Sequence, residues 1–448
     1  MIRDEIRTFE YASGELQRVR FAVFDSLSEL DFFRPAGDRR AFDRVTELYA
    51  RFIVPYRPEI FGQLVLFRLP EDFHGLFPAD SPAFGRTADP LTAAAFALRK
   101  GVRIIGGKPV FRDESVRAFW RFLEERDSVR IVRGLLPGTA ILPVGDGSGF
   151  LSESEKEARL RVNSSFFIMD RFDCASPYDT IGTPIGLMVR DGTILNPPAY
   201  SREALLCRKD GRVSVEVPEL TALTVEIGGK RYRHGENATF YTRPGHRKSP
   251  RRKGTDLVIV GRRVAAVKDG GGTPVPASGF VLALPEGGRA EAGAEVVFSG
   301  MEDVAFGIQV GNSILIDGKK TERFRSPFFD IRKVWTTAFP PSLYPLDFDK
   351  ARAPRIALGA DREGHGMIAW LEGRGKFPDP DYRESCGASL KETAEICAEL
   401  GMYNAVHLDG GGSAQLLVGG VRSLRISDRD PETKAEAERA VPAGLIIR

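Results

Sequence analysis

The stretch His407–Gly420, HLDGGGSAQLLVGG, restricts the fold of its surroundings more than any other part of the chain. An apolar run from Tyr403 to Leu408 leads into a single acid. Three glycines and a serine follow, and a second apolar run covers Leu416–Val418. Short apolar runs on either side of a glycine cluster read as two strands and a turn. Asp409 then stands at a strand end, beside backbone with no side chains to obstruct a ligand. Gly410, Gly411 and Gly412 tolerate positive φ and leave N–H groups free to point inward, with Ser413 beside them. The alternative is a plain hairpin with an Asp-Gly turn, in which Asp409 bonds only its own backbone. Three glycines exceed the need of a two-residue hairpin turn, which favours a site.

The chain of 448 residues is too long for one ordinary core. Its 42% hydrophobic and 28% charged residues are those of a globular protein, and a net charge of +3 is no nucleic-acid signature. No apolar run is long enough to span a bilayer. The start, MIRDEIRTFEYASGEL, has no apolar leader segment, so the chain as given is expected to be cytoplasmic, or extracytoplasmic if a leader has been removed. Cys174, Cys207, Cys386 and Cys397 form no CxxC pair and read as reduced thiols.

Before residue 140, strand-like and helix-like segments alternate. Arg20–Asp25, Gln63–Leu69, Val102–Ile105 and Arg130–Val132 read as strands. Asp38–Phe52, Asp89–Lys100 and Asp113–Arg126 read as helices. This predicts a small α/β domain of unknown role over residues 1–140. The Gly/Pro-rich stretch Gly134–Gly149 reads as a connection. A second domain over 150–448 is expected to be a mixed β-sheet with flanking helices, making the whole an α+β or α/β protein. It opens with a charged helix, Ser152–Arg159, whose Ser152 and Glu155 have capping-box spacing. Short strands follow, separated by Asp191-Gly192, Asp210-Gly211 and Asp317-Gly318 turns. A helix over Ser389–Leu400, with Ser389 and Glu392 as a capping box and Gly401 as its stop, precedes the glycine stretch.

Three places gather groups suited to hydrolytic chemistry. The first is the glycine stretch, with Asp409 as base or cation stabiliser, the N–H groups of Gly410–Ser413 as oxyanion donors, and His407 on the same strand face as Asp409. His407 reads equally as a hydrogen-bonded core histidine. The second is Asn163 in RVNSSFF, a polar residue in a strand, which either holds a substrate hydroxyl or pins a turn. The third is Arg355, the one charge in its strand and fit for a phosphate or carboxylate, with Glu372 ending the apolar strand MIAWL as partner carboxylate to Asp409. Asp361, in ADREGHG, reads as a turn residue. The basic run Arg243–Lys253 reads as a solvated loop, or alternatively as a phosphate subsite. Its lack of aromatics disfavours nucleic acid.

The order of motifs from Asn163 to the C-terminus resembles the phosphodiester glycosidase family. The carrying segments are Asn163-Ser164-Ser165-Phe166-Phe167, PIGLMVRDGTIL (184–195), ATFYTRPG (238–245), PASGFVLAL (276–284) and GNSILIDGK (311–319). They continue with APRIALG (353–359), Glu372-Gly373-Arg374, the helix GASLKETAEICAELG, and His407–Ser413. The chain departs from the family pattern at His407, where relatives have Asn, at Glu372, where they have Asp, and at Ser164-Ser165, where they have Gly-Gly. The resemblance implies hydrolysis of the bond between an anomeric carbon and a phosphate oxygen, on a sugar-1-phosphodiester or related glycoside. Phosphate leaves readily, so a carboxylate at the anomeric carbon is the main requirement. Asp409 and Glu372 would fill that role with His407 nearby, and Arg355 would hold the phosphate. No cofactor is required, although the resemblance is compatible with a divalent cation. Rival expectations are a carbohydrate- or glycan-phosphate-binding protein that has lost the chemistry, and a structural protein whose glycines only shape a turn.

Overall fold

The computed structural model describes residues 1–33, 102–105, 108–114, 117–118, 121, 149–168, 176, 178, 182–198, 200, 202–243, 245–321, 352–374, 385–429, 433 and 435–448. The segments expected over Asp38–Phe52, Gln63–Leu69, Asp89–Lys100 and Arg130–Val132 lie outside them, as does Cys174. Of the Asp113–Arg126 helix, Glu114, Arg117, Ala118 and Arg121 are described and helical. Met1–Ala36 and Gly147–Arg448 make one compact unit, and Gly37–Asp146 another, which contains a two-stranded ladder of Val102–Ile105 with Lys108–Phe111.

The expectation of an α+β or α/β fold is corrected: the protein is mostly β. Among the described residues every ladder between strands is antiparallel. Antiparallel strands need only tight turns, whereas parallel ones need helical crossovers, so short Gly-punctuated strands leave little call for helices. The Asp191-Gly192 and Asp317-Gly318 turns have positive φ at both residues, as a two-residue hairpin matched to strand twist requires.

The first strand pair, Arg3–Glu10 with Leu16–Phe24, joins a seven-stranded sheet. From that edge the order runs Arg3–Glu10, Leu16–Phe24, Gly366–Leu371, Arg355–Ala360, Asn404–His407, Ser313–Ile316 and Lys319–Lys320. One face packs Ile356, Leu358, Ile368, Trp370, Val406 and Leu408 against Leu160, Val162, Leu416 and Leu445 of a four-stranded sheet. The opposite face packs Ala357, Ala369, Leu371 and Ala405 against Ala394 and Cys397 of the helix Leu390–Glu399 and its C-cap Leu400. That helix begins as its sequence predicts: the Ser389 side chain accepts from the Glu392 N–H, and Glu392 reaches back to the Ser389 N–H. Cys207, Cys386 and Cys397 are buried free thiols.

The helix expected over Ser152–Arg159 does not form; the segment is a series of turns, with Glu155 at φ 45°. The buried Arg161 explains this. Its guanidinium donates to the carbonyls of Leu151, Ser152 and Ser154, drawing out backbone acceptors that a helix would use internally.

Candidate active site

Register explains how the site assembles. Arg355 pairs with Leu371, and Ala357 pairs with His407. The start of the Arg355 strand and the ends of its two neighbours therefore meet at one end of the seven-stranded sheet, with Glu372 and Asp409 just beyond. Their strands flank that of Arg355, about 10 Å apart. Strand alternation keeps Arg355 and His407 on the helix side, with Ala357 and Ala405, while Glu372 continues the line of Trp370 on the other.

The glycine loop leaves the strand Asn404–His407 and is pinned at both ends by Asn163. The Asn163 amide donates to the carbonyl of Asp409 at 2.6 Å and accepts from the Gln415 N–H at 3.0 Å. The Asp409 N–H in turn donates to the Ser164 carbonyl at 3.0 Å. Asn163 thus has the pinning role that was one of its two readings. Asn163→Ala is expected to cost about 2–4 kcal/mol by leaving two backbone groups unpaired in a buried place. Urea midpoints of the two proteins measure this, and a loss below about 1 kcal/mol would show the loop to be held by other means.

Each glycine has its own reason. Gly411 has φ 60°, a left-handed conformation that other residues adopt at a cost. A side chain on Gly410 would approach the Pro354 carbonyl at 2.8 Å. One on Gly412 would collide with the carboxylate of Asp428 and the guanidinium of Arg439. These two form a buried ion pair, Arg439 Nε to Asp428 Oδ2 at 2.8 Å and Nη2 to Oδ1 at 3.1 Å. The loop rests on this pair, which the sequence offered no periodic or motif cue to find.

Asp409 is only partly covered by its neighbours, yet its carboxyl is pushed up to about 6. Burial is the main cause, and the nearby charge of Asp428 adds to it. Arg439, the Gly410 N–H and the Ser413 hydroxyl pull the other way, the hydroxyl facing the carboxyl without completing a hydrogen bond. Four polar side chains around the loop are buried with no partner: the hydroxyls of Ser164, Ser165 and Ser413, and both ring nitrogens of His407. Buried polar atoms are normally paired, so a cluster of unpaired ones beside a raised carboxyl sets this end of the sheet apart.

His407 is 1% exposed and lies beside Phe166, ring centroids 6.2 Å apart. Burial holds its imidazole well below the ordinary histidine value, and the charges of Arg355 and Arg202 lower it further. The ring is neutral near pH 7. Arg355 is buried on the same sheet face, its Nε donating to the Ala388 carbonyl at 3.0 Å.

Glu372 has a different set of partners. Its Oε1 accepts from the Arg425 N–H at 2.7 Å, and Arg18 Nη1 lies 3.9 Å from Oε2. Asp428 is the second carboxylate whose charge acts on Asp409. Asp361 is a turn residue, its carboxylate bound by the N–H and ring Nδ1 of His365 at 2.8 Å each. With Glu363 these two make the one group of carboxylates and imidazole among the described residues close enough to share a cation. The group lies on the turn at the far end of the sheet from Arg355. In the basic run, Arg243 donates to the Arg247 carbonyl and Arg252 to Asp256, so part of that charge is spent within the protein.

Residues 237–448 match the family model described as phosphodiester glycosidase, which bears out the resemblance of the motifs from ATFYTRPG (238–245) onward. The coarse class that comes with this match is that of a glycosidase-type hydrolase. The span includes Arg355, Glu372, His407 and the glycine loop, and excludes Asn163 and Arg202. No curated protein matches the chain in sequence. Among solved structures, a hypothetical protein from Synechocystis matches with 15% identity and a TM-score of 0.44, over 100% of this chain and 62% of its own. The chain thus spans less than two-thirds of that protein. The zebrafish N-acetylglucosamine-1-phosphodiester alpha-N-acetylglucosaminidase catalytic domain, auto-inhibited by its pro-peptide, matches with 11% identity and a TM-score of 0.42, over 100% of this chain and 83% of its own. Among the described residues no helix is long and apolar enough to cross a membrane.

Proposed function

From the phosphodiester glycosidase match over residues 237–448, we propose that this chain hydrolyses the glycosidic bond of a sugar-1-phosphodiester, with Asp409 as the carboxylate that acts at the anomeric carbon. The observation that supports this reading is the partly buried Asp409 among four buried polar side chains without a hydrogen-bond partner at one sheet end. The serine hydroxyls of Ser164, Ser165 and Ser413 suit the hydroxyls of a sugar ring. In the glycine loop the Gly411 N–H donates to the Pro354 carbonyl at 2.9 Å, the Ser413 N–H to the Gly410 carbonyl at 3.2 Å, and the Gly410 N–H faces the Asp409 carboxyl, so these groups hold the loop and its carboxylate in place. Arg355 takes the phosphate, whose negative charge it complements. Since the phosphate leaves without strong acid help, Asp409 needs to be ionised, either attacking or stabilising the cationic carbon or activating water. His407 remains neutral throughout and donates a hydrogen bond.

Two results test the assignment. With Asp409 titrating at about 6, kcat/KM on a sugar-1-phosphodiester rises with pH through about 6 and then levels. A rate flat from pH 4.5 to 8 would exclude Asp409 as the ionising group. Glu372 is given a positioning part, holding the Arg425 N–H, and Glu372→Gln keeps an acceptor there. This variant is expected to retain turnover within about 10-fold while losing about 1–3 kcal/mol in a urea titration. A loss as deep as that of Asp409→Asn, in folded protein, would instead make Glu372 a reacting group.

A further inference from the structure

We propose that Lys248, Arg251, Lys253 and Lys268 form an outlying surface that binds a phosphate-bearing glycan chain, so that the substrate is a polymer of sugar phosphates and not a single unit. The proposal rests on reading the site as one for a sugar phosphodiester. The segment Arg243–Ser278 holds nine arginines and lysines against two acids, Asp256 and Asp269, in a chain whose net charge is only +3. The fold decides how much of that charge is free. The strands Thr239–Thr242 and Thr255–Val260 both run antiparallel to Gly279–Leu284, which lies between them. Residues 243–254 must therefore return along the sheet. Residues 270–278, which connect Arg263–Asp269 to Gly279–Leu284, return in the opposite sense. The two segments pair as they cross. The Ser249 N–H donates to the Thr273 carbonyl at 2.9 Å, the Gly272 N–H to the Ser249 carbonyl at 3.1 Å, and the Arg252 N–H to the Gly270 carbonyl at 3.1 Å. Val275 packs on Val258 and Val281 of the sheet beneath.

The basic run is thus a fixed strap, and its cations divide into two sets. Asp256, wholly buried, accepts the Ser249 hydroxyl and, at 2.5 Å, Arg252 Nη2. Arg252 Nη1 donates to the Leu284 carbonyl at 2.8 Å. Gly271 lets the segments meet, since a side chain there would strike the Pro250 carbonyl. Lys248, Arg251 and Lys253 form the other set. They are exposed and, among the described residues, make no ion pair or side-chain hydrogen bond. Lys268, directly opposite Asp256 on the neighbouring strand, is exposed and unpaired in the same way. The second acid, Asp269, is taken by the Thr255 hydroxyl at 2.9 Å. Three unpaired cations within about 17 Å of extended chain, on a strap that cannot spread, favour an anion with several charges. The strap also leads toward the candidate site. The Ala277 carbonyl accepts the Tyr200 hydroxyl at 2.5 Å, and Gln309 Nε2 donates to the carbonyls of Tyr200 at 3.1 Å and Arg202 at 2.8 Å. Arg202 Nη2 donates to Asn312 Oδ1 at 2.6 Å, and the Asn312 carbonyl accepts from the His407 N–H at 2.9 Å. A glycan phosphate suits the strap better than other polyanions. The segment has no Phe, Tyr or Trp on which bases would stack. Among the described residues the exposed large apolar side chains all lie outside it, so it offers nothing to enter a lipid layer. Arginine and lysine recognise phosphate oxygens directly.

The test uses the full chain, as wild type and with Lys248→Gln, Arg251→Gln and Lys253→Gln combined, three side chains with no partner to lose. Calorimetric titration at low salt should show wild type binding phosphorylated dextran and not unmodified dextran. The variant should bind phosphorylated dextran about 10-fold or more weakly, and the difference should shrink at about 0.5 M salt. Equal affinities of the two proteins would overturn the proposal. So would tighter binding, per phosphate, of duplex DNA or of phosphatidylglycerol vesicles, which would make the face one for nucleic acid or membrane. On a polymer of sugar-1-phosphodiesters the variant should raise KM about 10-fold, against less than about 2-fold on the single repeating unit. Equal changes on both would overturn the link to a polymeric substrate. If the combined variant fails to fold, Arg251→Glu decides: phosphorylated dextran bound about 3-fold or more weakly supports the proposal, and unchanged binding overturns it. If wild-type protein turns over no sugar-1-phosphodiester, the proposed function fails, while the dextran titrations still decide the binding surface.

Discussion

Asp409→Asn is expected to abolish turnover of sugar-1-phosphodiesters, by about a thousand-fold or more in kcat, and to make the protein more stable at pH 7. The two effects have one cause. Burial, with Asp428 nearby, lifts the Asp409 carboxyl from its ordinary 3.8 to about 6. Between those values the folded state holds a proton that the unfolded chain has released. The stability contribution is therefore full below about pH 4 and is lost as pH rises through about 6. Above that the folded protein carries an unfavourable carboxylate, at a cost of about 1–3 kcal/mol after allowing for its partial exposure. Asparagine has the same shape and no charge, so the cost disappears with the activity. Urea titrations at pH 5 and pH 8 should show the variant gaining on wild type mainly at the higher pH. An inactive variant with no gain at pH 8 would mean that Asp409 carries no strain of ionisation. An active one would remove it from the chemistry.

Gly412→Ala should destabilise the protein by about 3 kcal/mol or more and take activity with it, whereas Gly411→Ala should cost only about 1 kcal/mol. Sequence alone ranks these glycines alike. The difference lies underneath them. A methyl group at Gly411 meets open space, and its penalty is the left-handed φ of 60°. A methyl at Gly412 runs into both members of the Asp428–Arg439 pair. Pushing this buried pair apart strains or breaks charge-assisted hydrogen bonds of both members, which costs more than a backbone preference. Denaturation midpoints of the two variants side by side provide the measurement. Equal losses would show that the loop does not rest on the pair.

Much of the local structure was legible because it depends on neighbours in sequence. The capping box at Ser389 and Glu392 joins residues three apart, and the Asp-Gly hairpin turns need only their own two φ angles. The Ser152–Glu155 pair has the same spacing as Ser389–Glu392, yet it makes no helix. Arg161, a residue whose reach no pattern reveals, captures the carbonyls first. Fold class failed for a similar reason: whether short strands pair parallel or antiparallel is settled by distant partners, and the first strands proved to belong to the seven-stranded sheet.

The sequence by itself determined the strand, acid and glycine turn at His407–Ser413, the family resemblance, and Asn163 as a polar residue in need of partners. Only the tertiary structure decided which charges stand beside Asp409. It put Asp428 and Arg439 under the loop, brought Arg202 to His407 by way of Gln309 and Asn312, and gave Glu372 to Arg425 and Arg18. Strand and turn preferences act over a few residues and leave a trace in local composition. A pKa depends on charges within a few ångströms in space, and those are set by register and packing between segments that carry no mark of each other.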